Sequence, residues 1–382
     1  MKSKIADRVN QVSPSGIRKF FELVIGVDDV LSLAVGEPDF VTPWRVREAC
    51  IFSLESGHTS YTSNWGLLEL REMLSEKLKL DYGVEYDANK QILVTTGVSE
   101  GMDLAIRTVV NPGDEVIVVE PSYVAYCPDV VFAGGVPVIV PTNERSGFRP
   151  GAKQIEEKIT KKTKALILNY PNNPTGSIMK RGELKEIADI AEEHDLLVIS
   201  DEVYAKLTYE GRHTCFASLM PERTILLNGF SKAYAMTGFR LGYACAPPDI
   251  AEAMMKVHQY IMMCAPITAQ MAAIEALKSE DDVKDMVAEY NRRRLLIVDG
   301  LRKTGLRCTE PKGAFYVFPS IKHLGMSSED FAARLLKEEK VAIVPGSAFG
   351  ESGEGYLRVS YAVDRETIKE ALERIGNFVD RI

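Results

Sequence analysis

The chain has 382 residues, of which 46% are hydrophobic and 26% charged, and its formal net charge is −8. Such a mildly acidic chain argues against nucleic acid as the main partner, because binding a phosphate backbone needs a basic surface. No stretch approaches the roughly 20 uncharged apolar residues that a bilayer-spanning helix requires, so we expect no membrane partner.

The six cysteines are scattered at positions 50, 127, 215, 245, 264 and 308. None of them forms a C-x-x-C pair, which argues against a zinc site or a disulfide framework. The five histidines are dispersed as well, and residues 1–10 are polar and of mixed charge, unlike a signal peptide. We therefore expect a reduced, cytoplasmic protein without a metal centre, long enough for two domains.

Short apolar runs alternate with longer amphipathic segments in the middle of the chain. The runs, which we interpret as strands, are Ile92–Thr95, Glu115–Val119, Val136–Val140, Ala165–Asn169, Leu196–Ser200, Thr224–Asn228 and Arg240–Ala244. Helical patterns lie between several of them, for instance at Ser99–Val110 and Lys180–His194. Strands rich in Val, Ile and Leu that alternate with helices predict a mostly parallel sheet covered on both faces.

The pattern changes after about residue 280, where a charged helical pattern begins. That pattern is followed by strand-like pieces at Gly313–Phe318, Val341–Val344 and Tyr356–Ser360, and by helical patterns at 327–340 and 364–381. We predict a large domain over residues 45–280. A second, smaller α/β domain would be built from residues 1–44 and 281–382.

Polar residues follow four of the predicted strands, and ligands of open α/β sheets bind beyond the carboxyl ends of the strands. After Ile92–Thr95 comes TGVSE, where Gly97 at a strand-to-helix turn lets an anion approach free backbone N–H groups. After Ala165–Asn169 comes YPNNPTG, whose asparagine side chains offer hydrogen-bond donors. After Leu196–Ser200 comes DEVY, whose Asp201 carboxylate could pair with a cation.

The fourth strand, Thr224–Asn228, is followed by GFSKAYAMTGFRLGY, in which Lys232 lies in a small, apolar setting. Desolvation and nearby cations lower the pKa of a lysine amine, as Schiff-base chemistry requires. Further along, Arg240 carries a guanidinium that suits a phosphate. Each motif alone has a simpler explanation, such as a helix cap, a rigid loop or a solvated lysine. Together they supply an anion cradle, amide donors, a carboxylate and a lysine with an arginine.

These segments, in their order and spacing, resemble those of fold-type I pyridoxal 5′-phosphate (PLP) enzymes of the class I/II aminotransferase family, and the chain is similar to aspartate aminotransferases. Further matching segments are Leu33–Phe40 (LAVGEPDF), Tyr61 to Gly66, Glu120–Tyr123 (EPSY), Pro311–Phe318 (PKGAFYVF) and Leu357–Ser360 (LRVS). The matches cover nearly the whole chain, from about residue 30 to 360. The resemblance implies a three-layer α/β fold of PLP-transferase type I, with a mostly parallel central sheet and a smaller α/β domain.

The resemblance also implies which residues hold the cofactor ring. Lys232 would bind PLP as a Schiff base and move a proton during catalysis. Asp201 would pair with the pyridinium nitrogen, which keeps the ring an electron sink. Tyr204 and Asn173 would donate hydrogen bonds to the ring 3-oxygen, and Tyr123 would stack on the ring face.

The phosphate contacts follow from the same resemblance. The phosphate would be held by Arg240 and by the backbone N–H groups of Val98 and Ser99. Many relatives carry a serine three residues before the lysine, where this chain has Gly229, so Ser231 is the candidate to supply a hydroxyl instead. Tyr61 would reach the phosphate of the neighbouring subunit, which implies a homodimer with shared active sites.

For the substrate, the resemblance implies that Arg358 binds the α-carboxylate as a bidentate pair, helped by Asn173 and the backbone of Gly36. The segment at 15–18 (SGIR) resembles an N-terminal segment that folds over substrate, and a capped amphipathic helix explains it equally well. No motif places a second arginine or lysine for a dicarboxylate. Aspartate is therefore favoured only by the similarity of the whole chain.

The implied function is ping-pong transamination from an L-amino acid, with aspartate the leading donor, to a 2-oxoacid such as 2-oxoglutarate. Aromatic amino acids, alanine or an acylated diaminopimelate-type compound are alternative donors, and a PLP-dependent lyase or synthase could use nearly the same residues. An effector-binding module of a transcription regulator would need a DNA-binding region, and only about 30 residues precede the first motif. A nicotinamide-linked dehydrogenase is disfavoured, because no G-x-G-x-x-G follows a predicted strand.

Overall fold

A seven-stranded sheet lies at the centre of the computed structural model, which describes residues 4–17 and 29–382. Its strands are β2 (Ile92–Thr95), β3 (Glu115–Glu120), β4 (Val136–Pro141), β5 (Thr163–Asn169), β6 (Leu197–Asp201), β7 (Thr224–Gly229) and β8 (Gly242–Cys245). Their order is β2-β8-β7-β6-β5-β3-β4; β8 is antiparallel to both neighbours, and the other adjacent pairs are parallel. All seven predicted strands are confirmed, with small shifts at their ends.

Helices surround this sheet. Those of the described residues are α1 (Asp7–Asn10), α2 (Trp44–Glu55), α3 (Leu68–Tyr82), α4 (Gly97–Val109), α5 (Tyr126–Phe132), α6 (Ala152–Glu156), α7 (Arg181–Glu193), α8 (Pro248–Ile261), α9 (Ile267–Ala276), α10 (Glu280–Lys303), α11 (Ser328–Glu339) and α12 (Arg365–Val379). The long helix α10 has three acidic residues in its first turn and two basic residues in its last, as the helix dipole favours. Across residues 4–17 and 29–382, no helix combines the length and apolarity needed to cross a membrane.

Alternate residues of the central strands pack on opposite faces of the sheet, as the two-residue period of a strand requires. On β3, Val118 belongs to an apolar cluster with α4 and α8, whereas its neighbour Ile117 belongs to a cluster with α7. Because both faces are covered, these strands are continuous apolar runs in the sequence. The helices thus form two outer layers around the sheet, which is the three-layer α/β arrangement expected above.

Two smaller sheets are formed by short strands. β1 (Leu31–Ser32) pairs in parallel with β10 (Val341–Ala342). β12 (Leu357–Ser360) pairs antiparallel with both β11 (Val344–Pro345) and β9 (Tyr316–Val317). The single strand-like piece expected at 341–344 is therefore divided between two sheets. These pairings bring the segment that follows β1 beside β12.

Candidate active site

A cavity of about 660 Å³ lies where the carboxyl ends of the parallel strands meet the small sheets. Its lining includes eleven of the twelve residues that the sequence predicted: Gly36, Val98, Ser99, Tyr123, Asn173, Asp201, Tyr204, Ser231, Lys232, Arg240 and Arg358. The twelfth, Tyr61, does not line it and is 80% exposed on the surface. One chain therefore brings together every predicted residue except the one expected to serve a neighbouring subunit.

Lys232 lies on the turn that follows β7, with its amine inside the cavity. Its Nζ donates a hydrogen bond to the carbonyl oxygen of Gly36 at 2.7 Å. Burial and, after it, the Arg358 guanidinium lower the pKa of Lys232 to about 8, whereas the Glu37 carboxylate acts in the opposite direction. An amine of this pKa loses its proton readily and can attack a carbonyl carbon.

Asp201 is the buried last residue of β6, and both of its carboxylate oxygens have donors. Tyr126 Oη donates to Oδ2 at 2.7 Å, and the Val203 N–H donates to Oδ1 at 3.2 Å. Burial raises the pKa of Asp201, the hydrogen bond from Tyr126 partly offsets this rise, and the resulting pKa is about 6. A cationic ring nitrogen in the cavity would keep this carboxylate ionised, because an opposite charge favours the charged form.

Aromatic side chains line the same cavity as Lys232 and Asp201. Tyr204 Oη and Tyr316 Oη are 3.0 Å apart and share a hydrogen bond. Burial raises the pKa of Tyr204 well above its ordinary value, so its hydroxyl stays protonated and can donate. Tyr123 packs edge-on against Tyr126, with ring centroids 5.7 Å apart. These rings form an aromatic wall of the cavity.

An anion site lies at the beginning of α4. The helix begins at Gly97, directly after β2, so the N–H groups of Val98 and Ser99 belong to the first turn and lack partners within the helix. Gly97 has a φ of +78°, and a Cβ there would lie 2.8 Å from Arg240 Nη2, so only glycine lets the guanidinium come this close. Arg240 Nη1 donates to the Thr237 carbonyl oxygen at 3.0 Å. A helix N-terminus beside an arginine suits a phosphate.

Gly229, where a phosphate-binding hydroxyl was considered, lies at a close approach of two strands. Gly229 pairs with Gly242 in the antiparallel register of β7 and β8. A Cβ at residue 229 would lie 3.0 Å from both Gly242 Cα and the Leu241 carbonyl oxygen. This close approach of backbones leaves little room for a side chain. The hydroxyl that lines the cavity on this turn belongs to Ser231.

Arg358 is buried on β12 at the opposite wall of the cavity. Its Nη1 donates to Asn173 Oδ1 at 3.2 Å and its Nη2 to the Ala34 carbonyl oxygen at 2.6 Å. The guanidinium carbon lies 4.6 Å from the ring centroid of Tyr316 and 4.9 Å from that of Phe349. Its Nε has no hydrogen-bond partner among the described residues. A buried guanidinium with unused donors is a site for a carboxylate ligand.

Sequence reasoning missed several residues that line the cavity. The most prominent are Glu37, Met102, Tyr126, Asp129 and Tyr316. One signal was available for Tyr126, which follows the predicted stacking residue Tyr123 by three positions and precedes a helical pattern. Of the predicted N-terminal segment, the structure places Gly16 beside Ala348 and Ile17 at the cavity, while Arg18 lies outside the described residues.

Comparison with known proteins agrees with this geometry. The family model described as aminotransferase class I and II matches residues 28–375. Relatives include a putative aminotransferase, YugH, of Bacillus subtilis (53% identity, 100% of both chains) and an aspartate aminotransferase of Pyrococcus abyssi (48% identity, 97% of both). Another is aromatic-amino-acid aminotransferase 2 of Thermococcus litoralis, with 45% identity over 97% of both chains.

Among solved structures, aspartate aminotransferase from Thermus thermophilus with maleate superimposes with a TM-score of 0.93, at 38% identity, covering 98% of this chain and 99% of that one. This agreement extends over the large sheet and the small sheets alike, so it concerns the whole fold. The assignment to a family therefore rests on both the sequence and the structure. The chain belongs to the class I and II aminotransferases of PLP fold type I and is a PLP-dependent aminotransferase.

Proposed function

We propose that this enzyme transfers the amino group of L-aspartate to a 2-oxoacid such as 2-oxoglutarate by a ping-pong mechanism, with the residues of the cavity in the roles that follow. The observation that carries the proposal is that a buried lysine of lowered pKa, an anion site, Asp201 and Arg358 share one cavity. When bound, PLP supplies an electron sink for the electron pair that is freed at the substrate Cα.

The phosphate of the cofactor would be held at one end of the cavity. Arg240 and the N–H groups of Val98 and Ser99 bind the phosphate, and the Ser231 hydroxyl lies on a neighbouring turn of the same cavity. The absence of a side chain at Gly97 supports this role, because the cradle needs backbone and guanidinium in contact. Arg240 is positively charged, and the N–H groups of Val98 and Ser99 have no partner within the helix, so these donors suit a phosphate.

The ring would be oriented by side chains at or after the ends of β3, β5 and β6. Asp201, fixed by two donors of its own, accepts from the ring nitrogen and keeps it protonated. Tyr204 and Asn173 donate to the ring 3-oxygen, and Tyr123 covers one ring face. Tyr204 is suited to donating, since burial keeps its hydroxyl protonated.

Lys232 has two functions in this proposal. It would hold the cofactor covalently, and its amine, when free, would carry a proton to and from the substrate Cα. A pKa of about 8 suits this work, because a general acid–base is most effective when its pKa lies near the working pH. The hydrogen bond from Nζ to the Gly36 carbonyl oxygen supports this role, because it places the amine beside a group proposed to bind the substrate.

Arg358 binds the substrate α-carboxylate, with Asn173 and the Gly36 backbone beside it. The guanidinium is already oriented by Asn173 Oδ1 and the Ala34 carbonyl oxygen, so little freedom is lost when the ligand arrives. Orienting the α-carboxylate aligns the substrate Cα with the amine of Lys232. The proton transfer then occurs between groups that are already in place.

An aromatic amino acid is a second candidate donor. Apolar side chains of Ile17, Val35 and Met102 line the cavity together with its aromatic wall. Such surface favours a large apolar substrate side chain through burial of its area. The relative from Thermococcus litoralis, named an aromatic-amino-acid aminotransferase, points in the same direction.

The proposal includes a homodimer whose subunits share active sites, with Tyr61 reaching the phosphate of the partner. Exposed apolar side chains concentrate on α2, on the loop after it and at the end of α8: Trp44, Ile51, Phe52, Leu54, Tyr61, Tyr260, Ile261, Met262 and Met263. Asn64 Nδ2 donates to the Met263 carbonyl oxygen at 2.7 Å, which joins that loop to the end of α8. Exposed apolar side chains grouped on neighbouring segments are typical of a subunit interface.

The proposal also divides the chain into a large domain (45–280) and a small domain (1–44 with 281–382). The pairing of β1 with β10 and the hydrogen bond from Ser360 N to the Leu33 carbonyl oxygen support this division. The six cysteines are free, which supports a reducing, cytoplasmic location.

The first experiment is an absorbance spectrum of the purified protein with PLP, followed by single L-amino acids. Conversion of the lysine-bound cofactor to its aminated form by L-aspartate supports the leading donor. Conversion by L-phenylalanine or L-tyrosine alone makes the aromatic donor the answer. Release of ammonia without amination would replace the transaminase proposal with a lyase. A protein that forms no lysine-bound cofactor would overturn the assignment of Lys232.

A further inference from the structure

The segment Pro311–Phe318 resembles the family's sequence, but no function has been assigned to it. Tyr316, within this segment, lines the cavity and contacts residues on two sides of it. Tyr316 is completely buried on β9. Its hydroxyl is 3.0 Å from that of Tyr204, on the cofactor side. Its ring face supports the Arg358 guanidinium at 4.6 Å, on the substrate side.

The hydroxyl of Tyr316 also lies against the loop that would receive the substrate carboxylate. A Cβ at Gly36 would lie 2.7 Å from Tyr316 Oη, and 3.6 and 3.7 Å from the two terminal nitrogens of Arg358. Gly36, Tyr316 and Arg358 are therefore in mutual contact. A carboxylate at Arg358 would change the charge that the Tyr316 ring faces.

The direction of the hydrogen bond follows from the partners. When Tyr204 donates its proton to the cofactor, its oxygen is free to accept from Tyr316, since a hydroxyl has one donor and two acceptor positions. A cation beside the Tyr316 ring strengthens its hydroxyl as a donor. Donation to Tyr204 in turn strengthens Tyr204 as a donor, because linked hydrogen bonds polarise one another.

Resting on the proposed function, we propose that Tyr316 is a positioning residue that couples Arg358 to Tyr204. A carboxylate bound at Arg358 weakens the hydrogen bond that Tyr204 donates to the cofactor, and this raises the proton affinity of the Lys232 nitrogen in its cofactor-bound state. The enzyme thereby retains that proton when a substrate carboxylate is present.

Several titratable groups act on Lys232 and on Tyr316, the two residues between which the proposed coupling runs. Those that act on Lys232 are Arg358, Glu37, Arg240 and Asp201. Those that act on Tyr316 are Arg358, Tyr204 and Tyr123. Arg358 is common to both groups and also donates to Asn173 at 3.2 Å, so the part of its effect on Lys232 that is direct or passes through Asn173 persists without the Tyr316 hydroxyl. The test must therefore measure the part that the hydroxyl carries.

The experiment is a pH titration of the absorbance of the PLP-loaded enzyme, with and without a carboxylate that has no amine, either maleate or 3-phenylpropanoate. The wild type is expected to titrate at higher pH when the carboxylate is saturating. In Tyr316→Phe the titration without ligand should move up by about 0.5 pH unit, the scale of one neutral hydrogen bond. The upward shift caused by the ligand should fall to half or less of the wild-type shift.

Tyr290→Phe is the matched control. Tyr290 is 1% exposed, and its hydroxyl has no hydrogen-bond partner in the described part of the chain. Removing it tests the loss of a buried hydroxyl outside the proposed chain, and the ligand-induced shift should match the wild type. An undiminished shift in Tyr316→Phe, or no shift in the wild type, overturns the coupling. A wild type without lysine-bound cofactor overturns the proposed function instead.

A double-mutant cycle separates coupling from general damage. If Tyr316 acts through Tyr204, adding Tyr316→Phe to Tyr204→Phe should leave the ligand-induced shift where Tyr204→Phe alone puts it. A further decrease in the double variant contradicts the proposed route. If Tyr316→Phe does not fold, Tyr204→Phe alone decides: it must lose half or more of the shift, and an intact shift overturns the inference.

Discussion

The two walls of the cavity are built in different ways. Most of the cofactor wall consists of residues at or shortly after the ends of strands of one sheet, namely β2, β3, β5, β6 and β7. The substrate wall joins Gly36, Arg358 and Tyr316, which come from distant parts of the chain. The pairing of β1 with β10 and the hydrogen bond from Ser360 N to the Leu33 carbonyl oxygen hold the segment of Gly36 beside β12, and the pairing of β12 with β9 holds Arg358 near Tyr316. The first wall follows from strand order, and the second only from tertiary pairing.

The walls also differ in how their charges are balanced. Asp201 on the cofactor wall already has two hydrogen-bond donors from the protein. Arg358 on the substrate wall forms no ion pair with the described residues, and its Nε is unpartnered. A buried cation without an anion is costly until a ligand arrives. We infer that Asp201 is largely satisfied by the protein itself, whereas Arg358 is completed by the substrate carboxylate.

The largest effect is expected from the lysine of the cofactor wall. Lys232→Ala should lower the rate of transamination by about 10³-fold or more, since a positioned general acid–base alone contributes 10²–10⁴-fold. PLP should still bind, but without the absorbance of the lysine-bound form. Lys284→Ala, at an exposed ion pair with Asp281, is the control and should leave the rate unchanged. Substantial amination by Lys232→Ala would contradict the proposal.

Removing the guanidinium should affect substrate rather than cofactor. Arg358→Ala should lower kcat/KM by about 10²-fold, because a buried, hydrogen-bonded charge pair is worth roughly 3 kcal/mol. The affinity for PLP should change little, since the phosphate and ring contacts lie on the other wall. Steady-state kinetics and a PLP titration of the same variant measure both. A loss of PLP affinity as large as the loss of kcat/KM would contradict the distinction between the two walls.

The buried amine should cost stability in the protein without cofactor. The pKa of Lys232 is lowered from 10.5 to about 8, so the folded state binds this proton less tightly than the unfolded state. Lys232→Met should therefore stabilise the apoprotein by about 3 kcal/mol at pH 7, from 1.36 kcal/mol per pKa unit. Since the penalty is present below pH 8 and disappears as the pH rises towards 10.5, the gain should shrink at pH 9.5. Urea unfolding at both pH values checks this, and a gain that grows with pH would contradict it.

The smallest effect is expected at Tyr126, which acts on the cofactor through Asp201. Tyr126→Phe removes the 2.7 Å hydrogen bond to Asp201 Oδ2, and this raises the pKa of that carboxyl further. We expect PLP affinity to fall about tenfold, since a hydrogen bond to a charged group is worth roughly 1.5 kcal/mol. Tyr86→Phe is the control, because the buried Tyr86 hydroxyl has no partner among the described residues. Equal PLP affinities of the two variants would remove Tyr126 from the site.

Local patterns in the chain were enough to predict the seven strands and the chemistry that follows four of them. Apolar runs of strand length mark buried parallel strands, and parallel strands place their carboxyl ends at one edge. The roles of individual residues came from resemblance to a family, and eleven of those twelve residues line one cavity. The antiparallel direction of β8 in the central sheet and the division of the 341–344 segment between two sheets were not visible in the pattern.

The contacts that tune the site depend on packing between elements far apart in the chain. Tyr126 and Asp201 are 75 positions apart, Tyr204 and Tyr316 are 112 apart, and Arg358 and Ala34 are 324 apart. Periodicity reports which face of an element is buried, and it carries no information on which distant side chain it meets. Hydrogen bonds such as these need atoms placed to within a few tenths of an ångström. Only the packing of helices, central sheet and small sheets against one another sets such distances.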